Sequence, residues 1–351
     1  MSIPKLRKRI DSVDAKIISL LNERARMSLV IGEEKKKNQK GIYAPDREKQ
    51  VLERIKKLNK GPMTASALDA VYREVMSSSL SLEKSLKIAY LGPQASFTHL
   101  AARKKFGSQV KYIPCGDIPE IFDRVEKKDC DYGVVPIENS IEGAVTHTLD
   151  PLADSDLKIC AQITLEISHN LLSKYPLERI RQVYSKDQVF GQCRNWLHRN
   201  LPHAELIEVS STTKAAQIAA KKKNSACIAS ALAAQTYNLR IVKSGIEDFS
   251  HNMTRFLVIG MQDVPPTGKD RTSLLFSIKD KVGALHDMLL PFSRNKINLT
   301  KIESRPSKKR AWDYYFFVDC EGHQLDKKVQ RALKELEKKS KYLKILGSYP
   351  V

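Results

Sequence analysis

The chain has 351 residues, of which 42% are apolar, six cysteines and a net charge of +20. That is enough for two or three domains with real cores, and it excludes a disordered polypeptide. No apolar run approaches the ~18 residues that a membrane span needs, so no membrane partner is expected.

Residues 5–85 read as all helical. Ile10, Val13, Ile17, Leu20, Leu21 and Val30 recur at helical spacing along one long first helix. Gly41 breaks it, Pro45 precedes a second helix over "DREKQVLERIKKL", and "KGPMT" breaks the chain again. Thr64 or Ser66 can cap a third helix running to about Leu86. So long a first helix leaves apolar surface open, and a partner chain is the expected cover.

From residue 87 the period changes. "LKIAYLG", "DYGVVP", "RQVYS", "AELIEVS", "ACIAS" and "TRFLVIG" are short β-rich runs alternating with helix-like segments. This grammar predicts an α/β domain with a largely parallel sheet. "VPPTGKDR", residues 264–271, is a linker. The rest reads strand, helix, strand, strand, helix, strand: "TSLLFSI", "GALHDMLLPFSRNK", "INLTKIESRP", "WDYYFFVDC", "DKKVQRALKELEKK", "YLKILGSY". That order is ferredoxin-like, βαββαβ. The expected domains are therefore residues 1–86, 87–263 and 264–351.

The six cysteines are scattered without a C-x-x-C pair, so structural thiols are expected and no metal site or cofactor is. The start, "MSIPKLRKRID", has no signal-peptide core, which points to the cytoplasm. Net charge divides as +9 for residues 1–87, +2 for 88–263 and +9 for 264–351. No zinc finger or RNA-binding sheet signature accompanies it, so solvated helix faces are expected and no nucleic-acid partner is.

On the first helix Arg24 and Lys35 are 11 residues apart and share a face, whereas Arg7 lies ~100° away from it. Arg47 and Glu48 open the second helix, and Ser79 and Glu83 are an i, i+4 pair on the third. In order, "LRKRIDSVD", "LLNERARMSLVIGEEK", "PDREKQVLERI" and "SSSLSLEK" resemble the all-helical chorismate mutases. The resemblance implies an intertwined dimer of three-helix chains. Arg24, Lys35, Arg47, Glu48, Ser79 and Glu83 would line one pocket, and Arg7 would reach the partner's. Chorismate carries two carboxylates that arginines can clamp, and its rearrangement needs no nucleophile. The protein selects the compact conformer, and Lys35 would stabilise charge building on the ether oxygen. Glu83 faces the same oxygen by this resemblance, so it is expected to work protonated, with mutase activity falling as pH rises. Ala44 departs from relatives that have a polar residue there.

In the middle segment, strands end in polar residues that lead into helices: Ser96 and Thr98; Glu138, Asn139 and Ser140; Ser185; Ser211, Thr212 and Thr213; Ser230. Hydroxyls at helix N-termini make anion sites without metals, and so many suggest a cleft for a small carboxylic acid. "NMTRFLVIG", "GVVPIENSIEG" and "YLGPQASFTHLAA" resemble three motifs of the prephenate dehydratases. The resemblance implies two α/β subdomains, akin to a type II periplasmic binding protein, closing over prephenate. Thr254 would assist loss of the ring hydroxyl, and Arg255 would hold a carboxylate or order the loop. Glu138, Asn139, Ser140, Ser211 and Thr212 would line the cleft, with Ser96 and Thr98 nearby. Ala95 stands where that family commonly has glycine. His251 is a weaker candidate proton source than a structural histidine.

"GALHDML" and "NLTKIESRP" resemble the effector motifs of the regulatory ACT domain. Gly283, Ala284, Leu285 and His286 would then meet Asn298, Leu299, Glu303, Ser304, Arg305 and Pro306 across a dimer interface, with L-phenylalanine between them. Taken together, the resemblances imply a homodimer or higher homo-oligomer that takes chorismate and prephenate as substrates and L-phenylalanine as effector. Two other readings stay open at this point: arogenate as the dehydratase substrate, and an amino-acid sensor without catalysis.

Overall fold

The structure, a computed structural model, describes residues 2–38, 41, 43–249, 251–278, 282–307 and 314–351. Two compact units divide the chain: Met1–Lys87 with Lys105–Lys111, and Ile88–Lys104 with Tyr112–Val351. Among the described residues no helix is long and apolar enough to cross a membrane.

The first unit is helical. α1 (Ile3–Lys37) is one 35-residue helix with proline in its first turn, and α2 (Pro45–Leu58) likewise opens on proline. Thr64 caps α3 (Ala65–Glu83) by accepting from Ala67 N at 3.2 Å. The helix stops at Glu83, three residues short of the expected end. α1 packs on α3, and Gly32 is its buried residue. A Cβ at Gly32 would stand 2.9 Å from Glu83 Cγ, so glycine is what lets the two helices meet there. α1 exposes Ile10, Val13, Ile17, Leu20, Leu21 and Val30, the apolar residues for which the sequence expects a partner chain as cover.

The second unit holds three sheets. Its elements, of which Lys87, Lys105, Phe106 and Lys111 fall in the first unit, are β1 (Lys87–Leu91), α4 (Phe97–Phe106), β2 (Lys111–Cys115), α5 (Ile118–Glu126), β3 (Tyr132–Asn139), β4 (Gly143–Ala144), α6 (Thr146–Asp154) and β5 (Lys158–Glu166). Then come β6 (Asn170–Ser173), β7 (Gln182–Ser185), α7 (Asp187–Gln192), α8 (Arg194–Asn200), β8 (Glu205–Glu208), α9 (Thr212–Ala219), β9 (Ser225–Ala229), α10 (Ala231–Thr236) and β10 (Arg240–Lys243). The last are β11 (Met253–Gly260), β12 (Asp270–Ser277), α11 (Ala284–Arg294), β13 (Leu299–Pro306), β14 (Tyr314–Glu321), α12 (Lys327–Lys339) and β15 (Tyr342–Pro350). Trp312 and Asp313, the start of "WDYYFFVDC", lie outside the described residues.

The first sheet runs β2-β1-β3-β11-β5 with β4 on β3, and the second runs β10-β6-β9-β7-β8. Both are mixed, which corrects the expectation of a largely parallel sheet. The chain leaves the first sheet after β5 and returns as β11, which enters antiparallel to both β3 and β5. In the second sheet β7 is parallel to β8 and β9, while β6 and β10 pair antiparallel. The third sheet, β13-β14-β12-β15, has α11 and α12 packed on it in the order βαββαβ. One core joins it to the first sheet: Leu257 and Ile259 of β11 pack with Leu275, Phe317, Leu346 and Tyr349.

Candidate active sites

In the first unit the three helices enclose a cavity of about 300 Å³. Arg24 donates to Ser79 Oγ, which in turn donates to Val75 O at 2.9 Å. Three turns further along α1, Lys35 Nζ stands 3.2 Å from Glu83 Oε2. The shared face of Arg24 and Lys35 is therefore the α3 side, as their spacing predicts. Arg47, Glu48, Arg73 and Ala44 also line the cavity. Arg7 is exposed, and at 1.5 Å rise per residue it sits roughly 25 Å along the axis from Arg24, out of reach of this pocket.

The sequence reading missed part of this wall. Tyr43, Lys105 and Phe106 line the same cavity. Glu48 accepts from Tyr43 Oη at 3.2 Å and pairs with Lys105 Nζ at 2.9 Å. The run "ARKKFG", a basic stretch ending in an aromatic and a glycine, was the available signal.

In the second unit Asn139 ends β3 opposite Thr254 of β11. Asn139 Nδ2 donates to Thr254 Oγ1 at 2.8 Å and to Asn252 Oδ1 at 2.7 Å. Its Oδ1 accepts from the backbone N–H groups of Ile141 and Glu142, which can only donate, so the amide has one allowed orientation. Thr254 Oγ1 is thus an acceptor toward Asn139 and keeps its own proton to give elsewhere. Beyond Asn252, whose Nδ2 donates to Gln192 Oε1 at 3.1 Å, Gln192 Nε2 donates to the Glu142 carboxylate at 3.0 Å. His169 Nε2 sits 2.7 Å from the same Gln192 oxygen, which makes that nitrogen the protonated one. Burial lowers the pKa of His169 and keeps the ring neutral. Neither Gln192 nor His169 is among the site residues expected from the sequence.

Ser140 Oγ donates to His251 O at 3.2 Å and accepts from Met253 N at 2.9 Å, tying the β3 end to the β11 entry. The His251 side chain is exposed, which suits no buried proton donor. Ser96 Oγ donates to Leu91 O at 2.8 Å and accepts from His99 N at 3.2 Å, so its hydroxyl is engaged in its own turn. Ala95 has φ +70°, the left-handed conformation that glycine tolerates better, and its N–H donates to His99 Nδ1 at 3.0 Å. That bond needs an unprotonated Nδ1. Burial, aided by Arg103, pushes the His99 pKa down to about 4. Thr98 is buried beside it. Ser211 caps α9 by accepting from Lys214 N at 3.0 Å, and Thr212 follows on the same helix start. Ser230 likewise caps α10, whereas Ser185 caps nothing and donates to Ile228 O.

Glu138 and Arg255 were expected in the cleft with Asn139 and Thr254. They pair with each other in register, but successive residues of a strand point to opposite faces. Arg255 instead binds Asp319 of β14 at 2.6 Å, and Glu138 lies 3.5 Å from Arg255 and 3.4 Å from Lys301 of β13. Burial works against the Arg255 charge, yet Asp319, Tyr349 and Glu138 outweigh it and raise its pKa.

In the third sheet Gly283 takes φ +77° at the start of α11, a conformation glycine permits. Ala284 is buried, while Leu285 and His286 are exposed. Asn298 donates to Glu321 Oε1 at 3.2 Å. Along β13 burial alternates: Leu299, Glu303 and Arg305 are half-buried, Ser304 and Pro306 exposed. Arg305 reaches Asp150 of α6 at 3.0 Å, away from α11. A cavity of about 800 Å³ between α5 and α6 is walled by Asp117, Asp123, Glu126, Asp150 and Asp154, which would repel a dianionic acid.

Comparison with known proteins adds three domain matches: chorismate mutase type II over residues 6–84, prephenate dehydratase over 88–264 and the ACT domain over 272–338. A bifunctional chorismate mutase/prephenate dehydratase from Aquifex aeolicus is 50% identical, covering 99% of this chain and 98% of its own. The solved prephenate dehydratase of Arthrobacter aurescens, in complex with L-Phe, is 32% identical with a TM-score of 0.71, over 76% of this chain and 90% of that one. A solved structure described as a novel type of quorum quenching acylase is 26% identical, also at a TM-score of 0.71, over 76% of this chain and 98% of that one. The chain belongs to the bifunctional chorismate mutase/prephenate dehydratase family, whose two activities rearrange chorismate to prephenate and carry prephenate on to phenylpyruvate.

Proposed function

We propose that the helical cavity is the mutase site and that the Asn139–Thr254 junction is the dehydratase site. The observation that carries this is convergence. Arg24, Lys35, Ser79 and Glu83, spread over 60 residues, pair directly, and Asn139 and Thr254 pair across 115. In the mutase cavity Arg24, Arg47 and Arg73 face the two carboxylates of chorismate, and Lys35 stabilises the ether oxygen as the bond breaks. Exposed Arg7 and the open stripe of α1 fit a second copy of the chain, with Arg7 completing the partner's pocket.

In the dehydratase cleft prephenate loses carbon dioxide and hydroxide, and aromatisation drives the step. Thr254, fixed as an acceptor toward Asn139, offers its O–H as a hydrogen bond to the departing hydroxyl, which leaves as hydroxide and takes its proton from solvent, so the threonine stays protonated throughout. The helix N-termini at Ser211 and Thr212 orient a carboxylate from the second sheet. Two α/β subdomains of the periplasmic-binding-protein kind would close around it.

The terminal βαββαβ unit acts as a ferredoxin-like ACT domain that binds L-phenylalanine near Gly283–His286 and Asn298–Pro306. We place the domain limits at 1–86, 87–263 and 264–351; in space residues 105–111 belong with the helical unit. Six buried free cysteines suit a reducing cytoplasm. The test is to supply chorismate with and without phenylalanine and to quantify prephenate and phenylpyruvate. Phenylpyruvate formation suppressed by phenylalanine supports the whole reading. Prephenate accumulating alone refutes the dehydratase site, and no turnover refutes both.

A further inference from the structure

The helical cavity has two carboxylates in its wall, Glu83 and Glu48. Its substrate, on the reading above, is a dianion, so each bare carboxylate works against binding. Each is matched by a lysine: Lys35 stands 3.2 Å from Glu83, and Lys105 stands 2.9 Å from Glu48. Lys35 comes from α1. Lys105 lies far outside the residues 6–84 that match the mutase family, yet it belongs to the same compact unit.

Contacts with α3 hold the segment that carries it. Gly107 has φ +73° and passes so close to α3 that a Cβ would stand 2.5 Å from Ser77 Cβ. Ser108 donates to Glu74 Oε2 through both its N–H, at 3.2 Å, and its hydroxyl, at 2.5 Å. Gln109 N donates to Ser77 Oγ at 3.0 Å. Phe106 packs on Tyr43, ring centroids 4.9 Å apart, and Lys105 Nζ lies 5.8 Å from the Tyr43 ring centre. The Lys105 and Glu48 side chains are 21% and 15% exposed, so solvent screens this pair only in part.

We propose that Lys105 is a positioning residue of the mutase site: it neutralises and orients Glu48, so that the pocket accepts a dianionic substrate. The mutase pocket is then completed by a residue from the segment that matches the dehydratase family. The proposal rests on the reading of this cavity as the mutase site.

The test uses the full chain with Lys105→Met and Lys105→Arg, and Arg24→Ala as the reference. Dehydratase activity on added prephenate monitors folding in each preparation. Lys105→Met keeps the stem over Tyr43 and removes the charge. It should raise KM for chorismate about tenfold, the lower end for losing a charged partner, with kcat within about twofold. Lys105→Arg should restore KM to near the wild-type value. A Met variant with wild-type KM overturns the proposal, and so does an Arg variant as impaired as Met, since then packing rather than charge matters. If Arg24→Ala itself leaves chorismate turnover intact, the reading of the cavity has failed. If Arg24→Ala is inactive and Lys105→Met is normal, only the role of Lys105 falls.

Discussion

Gly32→Ala isolates the geometry of the mutase site. Replacing glycine by alanine inside a helix favours the helix by roughly 1 kcal/mol, so secondary structure alone predicts a more stable protein. The structure adds a cost of another kind. The new Cβ would stand 2.9 Å from Glu83 Cγ and 3.1 Å from Glu83 Cβ, against the ~3.5–4.0 Å at which carbon atoms rest. Relief requires Glu83 Cγ to move by about 0.6 Å or more, and the carboxylate at the end of the lever by about 1 Å. That loosens the Lys35–Glu83 pair and displaces both groups from the reacting bond. A misplacement of that size can cost on the order of 100-fold in rate, so mutase kcat should fall about 10- to 100-fold. Thermal stability should change little, and turnover of added prephenate should be unchanged. The assay is chorismate disappearance under saturating substrate, with Glu83→Ala and the double variant alongside. If the alanine acts through Glu83, the double variant should be no worse than Glu83→Ala. A folded Gly32→Ala protein with wild-type kcat refutes the argument.

Three further outcomes are expected. Thr254→Ser should retain dehydratase activity, whereas Thr254→Val should lose 100-fold or more of phenylpyruvate formation; near-normal turnover by Val would remove Thr254 from the chemistry. Asp319→Ala leaves the Arg255 guanidinium buried with only Glu138, 3.5 Å away, which should lower the stability of this unit by roughly 2–4 kcal/mol in denaturant titrations; an unchanged midpoint would mean that Arg255 finds solvent. His99 has a folded pKa of about 4 against the usual 6.5, so the unfolded chain binds the extra proton first. Its contribution is present above pH 6.5 and lost as pH falls from 6.5 toward 4, by at most about 3 kcal/mol, and His99→Gln should flatten stability across that window.

The helical part was legible because its signals are local. Pro45 at the start of α2, Thr64 at the start of α3, and the 11-residue spacing of Arg24 and Lys35 each act within a few turns. Lys105 was visible only as part of the basic run "ARKKFG", because its place depends on a glycine turn and three hydrogen bonds to α3 that no periodicity records. Strand direction was lost for a related reason. The β-rich run "TRFLVIG" announces a strand, but only the return of the chain from the second sheet sets it antiparallel between β3 and β5. Gln192 and His169 escaped notice because an amide and a neutral imidazole gain meaning only through the partners that fix their hydrogen-bonding sense.

The motif "NMTRF" packs two tasks into adjacent residues. Thr254 turns to Asn139 on one face of the first sheet, and Arg255 turns to Asp319 of the third sheet on the other. The neighbouring strand repeats the arrangement, with Asn139 facing Thr254 and Glu138 facing Arg255 and Lys301. Lys301 lies on β13, the strand that also carries Glu303, Ser304 and Arg305. β13 is therefore tied to Glu138, one residue from Asn139, and β14 to Arg255, one residue from Thr254. Strand alternation keeps these charges out of the cleft while leaving them bonded to the backbone that positions it.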